Sequence, residues 1–134
     1  MGNGRKNIIT YGTFDTFHYG HMELLKRASS FGDNLIVAIS TDEFNQIKGK
    51  KSFFPYAKRK EWVSDLKFVN KVIAEKEWDQ KKTDIIKYNI HTLIMGDDWT
   101  GKFDDFKKYC EVIYLPRTDG ISSTQLKEIL NEKN

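Results

Sequence analysis

The segment His18-Tyr19-Gly20-His21 holds two of the three histidines of this sequence within four residues. Both imidazoles can project from one face of a helical first turn, because residues three apart are neighbours on a helix. Gly20 between them lets a ligand approach the backbone closely. A helix N-terminus adds unpaired N–H groups and partial positive charge, which attract phosphate. The segment therefore indicates a phosphate-binding site.

Two other interpretations of this segment stay open. The histidines could be partly buried residues that cap a helix, although their pairing just after a predicted strand favours the phosphate site. A zinc site is disfavoured, because no cysteine lies nearby in sequence and the helical metalloprotease pattern needs histidines four apart together with a glutamate.

The composition predicts one soluble globular domain. The chain has 134 residues, of which 31% are charged and 39% hydrophobic, with a net charge of +3. No apolar run approaches the roughly 18 residues that a membrane-spanning helix needs. Residues 1–6 are polar and are expected to form a disordered lead-in without a secretory signal, leaving residues 7–134 as the domain. The single Cys110 cannot form an internal disulfide, so we expect a cytoplasmic protein.

Short apolar runs alternate with amphipathic segments along the chain. The runs predict five strands, at Ile8–Tyr11, Leu35–Ser40, Lys71–Ala74, Thr92–Met95 and Val112–Leu115. The segments between and after them predict helices at His21–Phe31, after Thr41, at Tyr56–Leu66, Asp79–Tyr88, Lys102–Tyr109 and Ser123–Asn131. This alternation predicts an α/β protein with a Rossmann-like, doubly wound parallel sheet of five strands in a single domain.

Ligands of such sheets bind at the carboxyl ends of the strands. Polar segments follow the first, fourth and fifth predicted strands there. The last of them begins with Arg117, which is well placed to bind phosphate oxygens in a bidentate manner. Ser122 and Gln125 in the same segment fit a helix capping box. Lys48 and Lys50 flank Gly49 in a basic loop that, taken alone, indicates only a solvated surface.

Three motifs together resemble a known family. Thr13-Phe14-Asp15 followed by His18-x-Gly20-His21 resembles the signature of the HxGH nucleotidyltransferases, and 117–124, Arg-Thr-Asp-Gly-Ile-Ser-Ser-Thr, resembles the R-T-x-G-I-S-[ST]-[ST] motif of cytidylyltransferases. Segments 39–45 and 95–99 are similar to the glycerol branch of that family. The resemblance covers nearly the whole chain from about Asn7, and with the compact length it favours this branch over the choline and ethanolamine relatives.

The resemblance implies a cytidylyl transfer from CTP to glycerol 3-phosphate, which yields CDP-glycerol and pyrophosphate. It also implies a role in making teichoic acid or a related polymer, and a homodimer. Magnesium is expected, bound mainly through the CTP phosphates with no dedicated protein ligands. No nucleic-acid partner and no stable membrane association are expected. The acceptor phosphate is already an anion near neutral pH, so the residues are expected to stabilise charge and not to act as a general base.

The site residues that the resemblance implies fall into three overlapping groups. The catalytic group is His18, His21, Lys48 and Arg117. The acceptor group is Lys48, Arg59 and Lys81. The CTP group is Thr13, Phe14, His18, Gly20, His21, Lys50, Asp98, Arg117, Thr118, Gly120, Ile121, Ser122, Ser123 and Thr124.

Other functions stay open at this stage. The same chemistry could act on phosphoethanolamine or phosphocholine, whose cation would call for a carboxylate or an aromatic cage. An adenylyltransferase fits less well, because the motif at 117–124 indicates cytidine. A nucleotide-binding module without catalysis is disfavoured by the presence of both motif histidines.

Overall fold

A computed structural model describes residues 6–15 and 19–116. Within them lie five strands, β1 (Asn7–Gly12), β2 (Asn34–Ser40), β3 (Lys71–Glu75), β4 (Thr92–Gly96) and β5 (Glu111–Leu115). The α-helices are α1 (Tyr19–Ser29), α2 (Asp42–Ile47), α3 (Tyr56–Ser64) and α4 (Gln80–Lys87), and short 3-10 helices cover Asp97–Trp99 and Asp104–Lys108. The predicted helix at 123–131 lies outside the described residues.

The sheet confirms the predicted topology. Its strand order is β3-β2-β1-β4-β5, and every neighbouring pair is parallel. The chain winds outward from β1 through β2 to β3, and then crosses back to build β4 and β5 on the other side. The winding therefore reverses between β1 and β4, and the crevice at the carboxyl ends of these two strands is the expected ligand site.

Two apolar clusters cover the two faces of the sheet. Ile8 of β1 packs with Leu25 of α1 and Val63 of α3 on one face. Its neighbour Ile9 packs with Ile85 of α4 on the other. Successive side chains of a strand point to opposite faces, so a sheet covered on both sides needs apolar residues at nearly every strand position. This requirement explains the continuous apolar runs of the sequence.

Two of the predicted helices compare differently with the structure. Thr41 caps α2 as predicted, because its hydroxyl accepts a hydrogen bond from the Phe44 amide at 3.1 Å. The segment predicted as a helix at 102–109 forms instead a 3-10 helix, with i to i+3 bonds such as that from the Phe106 amide to the Phe103 carbonyl. Such tight turns are favoured in short connectors, where few residues are available to propagate an α-helix.

Gly32 lies where the loop after α1 meets the start of β1. A Cβ atom at this position would lie 2.6 Å from the Lys6 carbonyl oxygen and 2.8 Å from Ile8 Cδ1. The Lys6 carbonyl also accepts the Asp33 and Asn34 amides, at 2.9 and 3.2 Å, so it cannot retreat without loss of these bonds. The lack of a Cβ at Gly32 therefore lets the start of β1 lie close to the loop that leads into β2.

We expect Gly32→Ala to lower the free energy of unfolding by about 1–3 kcal/mol, the usual cost of overpacking. Gly96→Ala is the matched control, since a Cβ there meets no atom within 4 Å. Its effect should stay within about 0.5 kcal/mol. Urea unfolding followed by circular dichroism measures both, and equal stabilities for the two variants would contradict the close approach at Gly32.

Candidate active site

A cavity of about 860 Å³ opens at the carboxyl edge of the sheet, where the winding reverses. Its volume falls in the usual range of ligand pockets, about 300–1,000 Å³. Residues that follow β1, β2, β3 and β4 all contribute to its wall. The lining residues are Tyr11, Gly12, Thr13, Phe14, Asp15, His21, Phe44, Lys48, Lys50, Glu75, Trp78, Lys81, Met95, Trp99, Lys102, Phe103, Asp105 and Phe106.

The turn after β1 forms one side of the cavity in a strained conformation. Phe14 is buried and has a φ of 52°, in the left-handed region that bulky residues rarely adopt. A residue held there costs of the order of 1–3 kcal/mol and persists only where surrounding contacts fix it. The Phe14 ring meets the His21 imidazole edge to face, with centroids 5.4 Å apart. The turn thus places an aromatic ring against the second motif histidine.

Arg59 is buried and anchors this turn through hydrogen bonds. Its Nη1 donates to the Thr13 carbonyl at 2.8 Å and to the Ser40 carbonyl at 2.7 Å. Its Nε donates to the Phe54 carbonyl at 3.0 Å, and Nη2 donates to Asp42 Oδ1 at 2.7 Å. The residue is 0% exposed and is not among the lining residues. This placement differs from the predicted contact of Arg59 with the acceptor and gives the residue a positioning role.

Two carboxylates complete the support of the turn. Asp15 accepts the Phe53 amide at 2.6 Å and the Phe54 amide at 2.9 Å. Asp42 accepts the Tyr56 amide at 3.1 Å in addition to Arg59. Burial alone would raise the pKa of Asp42, but these hydrogen bonds outweigh it, and the pKa lies below its ordinary value. Both carboxylates therefore anchor the segment that leads into α3.

Lys48 lies just after α2 with its ammonium half-buried against the cavity. Nζ donates to Ser40 Oγ at 2.7 Å and lies 4.7 Å from the centroid of the Phe44 ring. Burial lowers the pKa of Lys48, the Glu75 carboxylate opposes this change, and Lys50, Lys81 and Arg59 reinforce it. A lysine in such surroundings binds an incoming anion strongly, because little water screens its charge.

Lys81 of α4 also lines the cavity and is linked to Lys48 through Glu75 and Ser40. Its Nζ lies 2.8 Å from Glu75 Oε2, 4.5 Å from the centroid of the Tyr11 ring and 5.2 Å from that of Phe103. Tyr11 in turn donates its hydroxyl proton to Asp84 Oδ2 at 2.8 Å. Burial, reinforced by Asp84, raises the pKa of Tyr11 well above its usual range, so this phenol stays neutral.

Aromatic side chains form the open rim of the cavity. Trp78 packs edge to face on Phe44, with centroids 5.1 Å apart, and Trp99 lies 5.6 Å from Phe103. The two tryptophans are 62% and 42% exposed, although they are among the largest apolar side chains. Exposed aromatic faces beside a basic cavity suit the stacking of a planar base or the coverage of a sugar.

The structure brings together six of the predicted site residues at this cavity: Thr13, Phe14, His21, Lys48, Lys50 and Lys81. Asp98 is exposed in the 3-10 turn after β4, and its neighbour Trp99 lines the cavity. Gly20 lies in the first turn of α1. Predicted residues outside the described part of the chain are His18, Arg117, Thr118, Gly120, Ile121, Ser122, Ser123 and Thr124.

Sequence reasoning missed Glu75, Lys102 and the aromatic residues Phe103 and Phe106 among the lining residues. Glu75 is the last residue of β3, so the rule that ligand-site residues follow parallel strands could have marked it. Lys102 and the two phenylalanines belong to no sequence motif that would predict a ligand site.

The charges of the cavity favour an anionic ligand. Lys48, Lys50, Lys81 and Lys102 face Asp15, Glu75 and Asp105, together with His21. Two of the three carboxylates are already hydrogen-bonded to protein donors, Asp15 to backbone amides and Glu75 to Ser40 and Lys81. With Lys81 and Glu75 paired, three lysines remain against Asp15 and Asp105, so the field that a phosphate group would meet is positive.

The comparisons with known proteins agree with this chemistry. The family model described as cytidylyltransferase-like matches residues 9–129, and the chain belongs to that family. It is 62% identical over 123 residues to the glycerol-3-phosphate cytidylyltransferase of Bacillus spizizenii, covering 92% of this chain and 95% of that protein. It is 58% identical to the protein of the same name from Bacillus subtilis, with the same coverage of both chains.

A solved structure extends the likeness to the fold. The lipopolysaccharide core biosynthesis protein from Thermoplasma volcanium superposes with a TM-score of 0.73 at 25% identity, covering 87% of this chain and 100% of that chain. Among the residues that the structure describes, no helix is long and apolar enough to cross a membrane.

Arg59→Lys should lower the free energy of unfolding by at least about 2 kcal/mol, because it strands buried carbonyl groups that the guanidinium satisfies. Lys58→Ala is the control, since Lys58 makes only an exposed ion pair with Glu61 at 3.7 Å. Denaturant unfolding of both variants measures the difference. An unchanged stability for Arg59→Lys, with a raised KM for the acceptor alone, would instead support direct contact of Arg59 with the acceptor.

Proposed function

We propose that this protein transfers the cytidylyl group of CTP to glycerol 3-phosphate and releases CDP-glycerol and pyrophosphate. The observation that carries the proposal is the near-full-length match to glycerol-3-phosphate cytidylyltransferases. The lysine-rich cavity beside α1 supports it, because both substrates are phosphate anions. The class of reaction is therefore nucleotidyl transfer.

In this reaction a phosphate oxygen of glycerol 3-phosphate attacks the α-phosphorus of CTP in line. A new bond forms between oxygen and phosphorus while the bond from the α-phosphorus to the bridging oxygen breaks, and pyrophosphate leaves with that oxygen and its electron pair. The attacking oxygen is an anion near neutral pH, so no side chain has to remove a proton. The task of the protein is to bring two anions together and to stabilise the charge that develops.

The chain offers cationic groups on several sides of the cavity for this task. We assign the acceptor phosphate to Lys48 and Lys81, which are linked through Glu75 and Ser40. We assign the nucleotide phosphates to His18, His21, Lys50 and the segment 117–124, which includes Arg117. Phe14 supports the His21 ring from its edge. Preorganised donors of this kind need no rearrangement as charge moves from nucleophile to leaving group.

Magnesium is part of the proposal. Among residues 6–15 and 19–116 there is no group of three or more His, Cys, Asp or Glu side chains placed to hold a metal ion. Asp15, the carboxylate next to the motif, accepts two backbone amides. We expect the ion to be carried mainly on the triphosphate oxygens, where it would neutralise part of the leaving-group charge.

The charges around Lys48 among the described residues support the acceptor assignment. A phosphocholine or phosphoethanolamine acceptor would need a group that binds its cation. Glu75, the buried carboxylate of this wall, is paired with Lys81 and Ser40. A neutral glycerol moiety places no second cation beside the Lys48 and Lys81 ammonium groups, which favours it as the acceptor.

The biological setting is also proposed. CDP-glycerol would supply teichoic acid or a related wall polymer from a cytoplasmic pool, and the active unit would be a homodimer. The single Cys110 suits a reducing compartment, because it offers no partner for an internal disulfide.

Pyrophosphate release should require CTP and glycerol 3-phosphate together. We expect turnover to fall to background when ATP replaces CTP, or when phosphocholine or phosphoethanolamine replaces the acceptor. Comparable turnover with ATP would contradict the nucleotide assignment, and faster turnover with a cationic acceptor would contradict the acceptor assignment.

His21→Ala should lower kcat by roughly a hundredfold or more, the usual loss when one preorganised donor is removed. CTP binding should weaken much less. His91→Ala is the matched control, since His91 precedes β4 at the opposite edge of the sheet and accepts the Asn7 amide there. Steady-state kinetics test this pair, and an unchanged kcat with a raised KM in His21→Ala would refute the charge-stabilising role.

A further inference from the structure

Glu75 is a buried carboxylate in the part of the cavity wall that carries Lys48 and Lys81. It ends β3, and Ser40 ends β2 directly opposite it in the parallel register. Ser40 Oγ donates to Glu75 Oε1 at 3.2 Å, and Lys81 Nζ donates to Glu75 Oε2 at 2.8 Å. The Glu75 side chain is 5% exposed, so its charge has almost no water to stabilise it.

The same network reaches Lys48. Lys48 Nζ donates to Ser40 Oγ at 2.7 Å, so the hydroxyl accepts from the lysine and donates to the carboxylate. A serine hydroxyl has one proton and two lone pairs, and this arrangement uses the proton toward Glu75. The order from one side to the other is therefore Lys48, Ser40, Glu75 and Lys81.

We propose that Glu75 is a positioning residue, which holds the ammonium groups of Lys48 and Lys81 where together they bind the acceptor phosphate. Each ammonium has three N–H donors and uses one toward this network among the described residues, so two remain for a phosphate. The inference rests on the proposed function, in which these lysines meet glycerol 3-phosphate. In this role Glu75 acts through Lys48 and Lys81.

Glu75 also opposes the lowering of the pKa of Lys48. Burial lowers the pKa of Lys48, and the positive charges of Lys50, Lys81 and Arg59 add to this effect. Among the described residues, Glu75 is the carboxylate whose negative charge raises the pKa of Lys48. Loss of its charge therefore lowers the pKa of Lys48, and the ammonium is lost at a lower pH.

A purely structural role for Glu75 predicts something else. The Lys81–Glu75 pair is buried, so breaking it could loosen β3 and α4 in general. General loosening would impair CTP and glycerol 3-phosphate alike and would not move the pH dependence of acceptor use. The two roles can thus be separated by the substrate and the pH range that a substitution affects.

Glu75→Gln tests the proposal, because the amide keeps the size of the side chain and removes its charge. We expect the KM for glycerol 3-phosphate to rise about tenfold or more, as for the loss of a charge-assisted hydrogen bond, with the KM for CTP nearly unchanged. We also expect the alkaline limb of kcat/KM for the acceptor to move to lower pH. Glu75→Asp keeps the charge and should restore that limb in part.

Glu77→Gln is the matched control. It makes the same change two residues away at an exposed position outside the cavity wall, and both KM values should stay at those of the unaltered protein. Thermal unfolding of every variant identifies those that fold. If Glu75→Gln does not fold, Ser40→Ala replaces it, since it cuts the link to Lys48 and keeps the Lys81–Glu75 pair, and the acceptor KM should again rise selectively.

The outcomes separate the two proposals. Failure of the unaltered protein to use glycerol 3-phosphate with CTP would refute the proposed function. Normal turnover of the unaltered protein, combined with equal rises of both KM values and an unmoved pH profile in Glu75→Gln, would refute the positioning role. An unchanged acceptor KM in a folded Glu75→Gln variant, or in Ser40→Ala where that variant is used, would refute it as well.

Discussion

The hydrogen bonds of the buried Arg59 guanidinium are the interactions on which the rest of the site depends. The guanidinium donates to carbonyl groups at the ends of β1 and β2 and in the loop before α3, and it pairs with Asp42. A planar group with five fixed donors can join several acceptors at once, which a lysine cannot do. The strained turn at Phe14 persists because the backbone just before it is fixed in this way.

The anchoring of the turn has an electrostatic consequence for the cavity. Asp15 and Asp42 are engaged by backbone amides and by Arg59, and Glu75 is engaged by Ser40 and Lys81. Asp15 and Asp42 are thus satisfied without the lysines of the cavity, and Glu75 engages one of these lysines, Lys81. The cavity can therefore carry carboxylates, which order its loops, and still present a positive field to phosphate. The charged residues that anchor the loops thus also set the electrostatic field in which an anion binds.

The fold explains why these groups converge. In a parallel sheet all carboxyl ends lie at one edge, and the reversal of winding between β1 and β4 leaves a crevice there. Helix α1 starts beside this crevice, so its N-terminal N–H groups add to the field of the lysines. The aromatic rim at Trp78 and Trp99 borders the same opening. A nucleotide needs a charged end and a stacking surface, and this edge of the sheet provides both.

The sequence by itself determined the parallel sheet, its approximate strand and helix limits and the family of the protein, because apolar periodicity and motif spacing are local properties of the chain. It also marked Lys48, Lys50 and Lys81, though only through the family resemblance. Only the tertiary structure decided that Arg59 anchors the turn, at a separation of 46 residues from Thr13, and that Glu75 meets Ser40 across 35 residues. Such contacts depend on strand register and helix packing, and no local pattern encodes which distant carbonyl or hydroxyl a buried charge will meet. The tertiary structure therefore decided which partner each buried charged group of the site has, because a buried charge without a partner is costly.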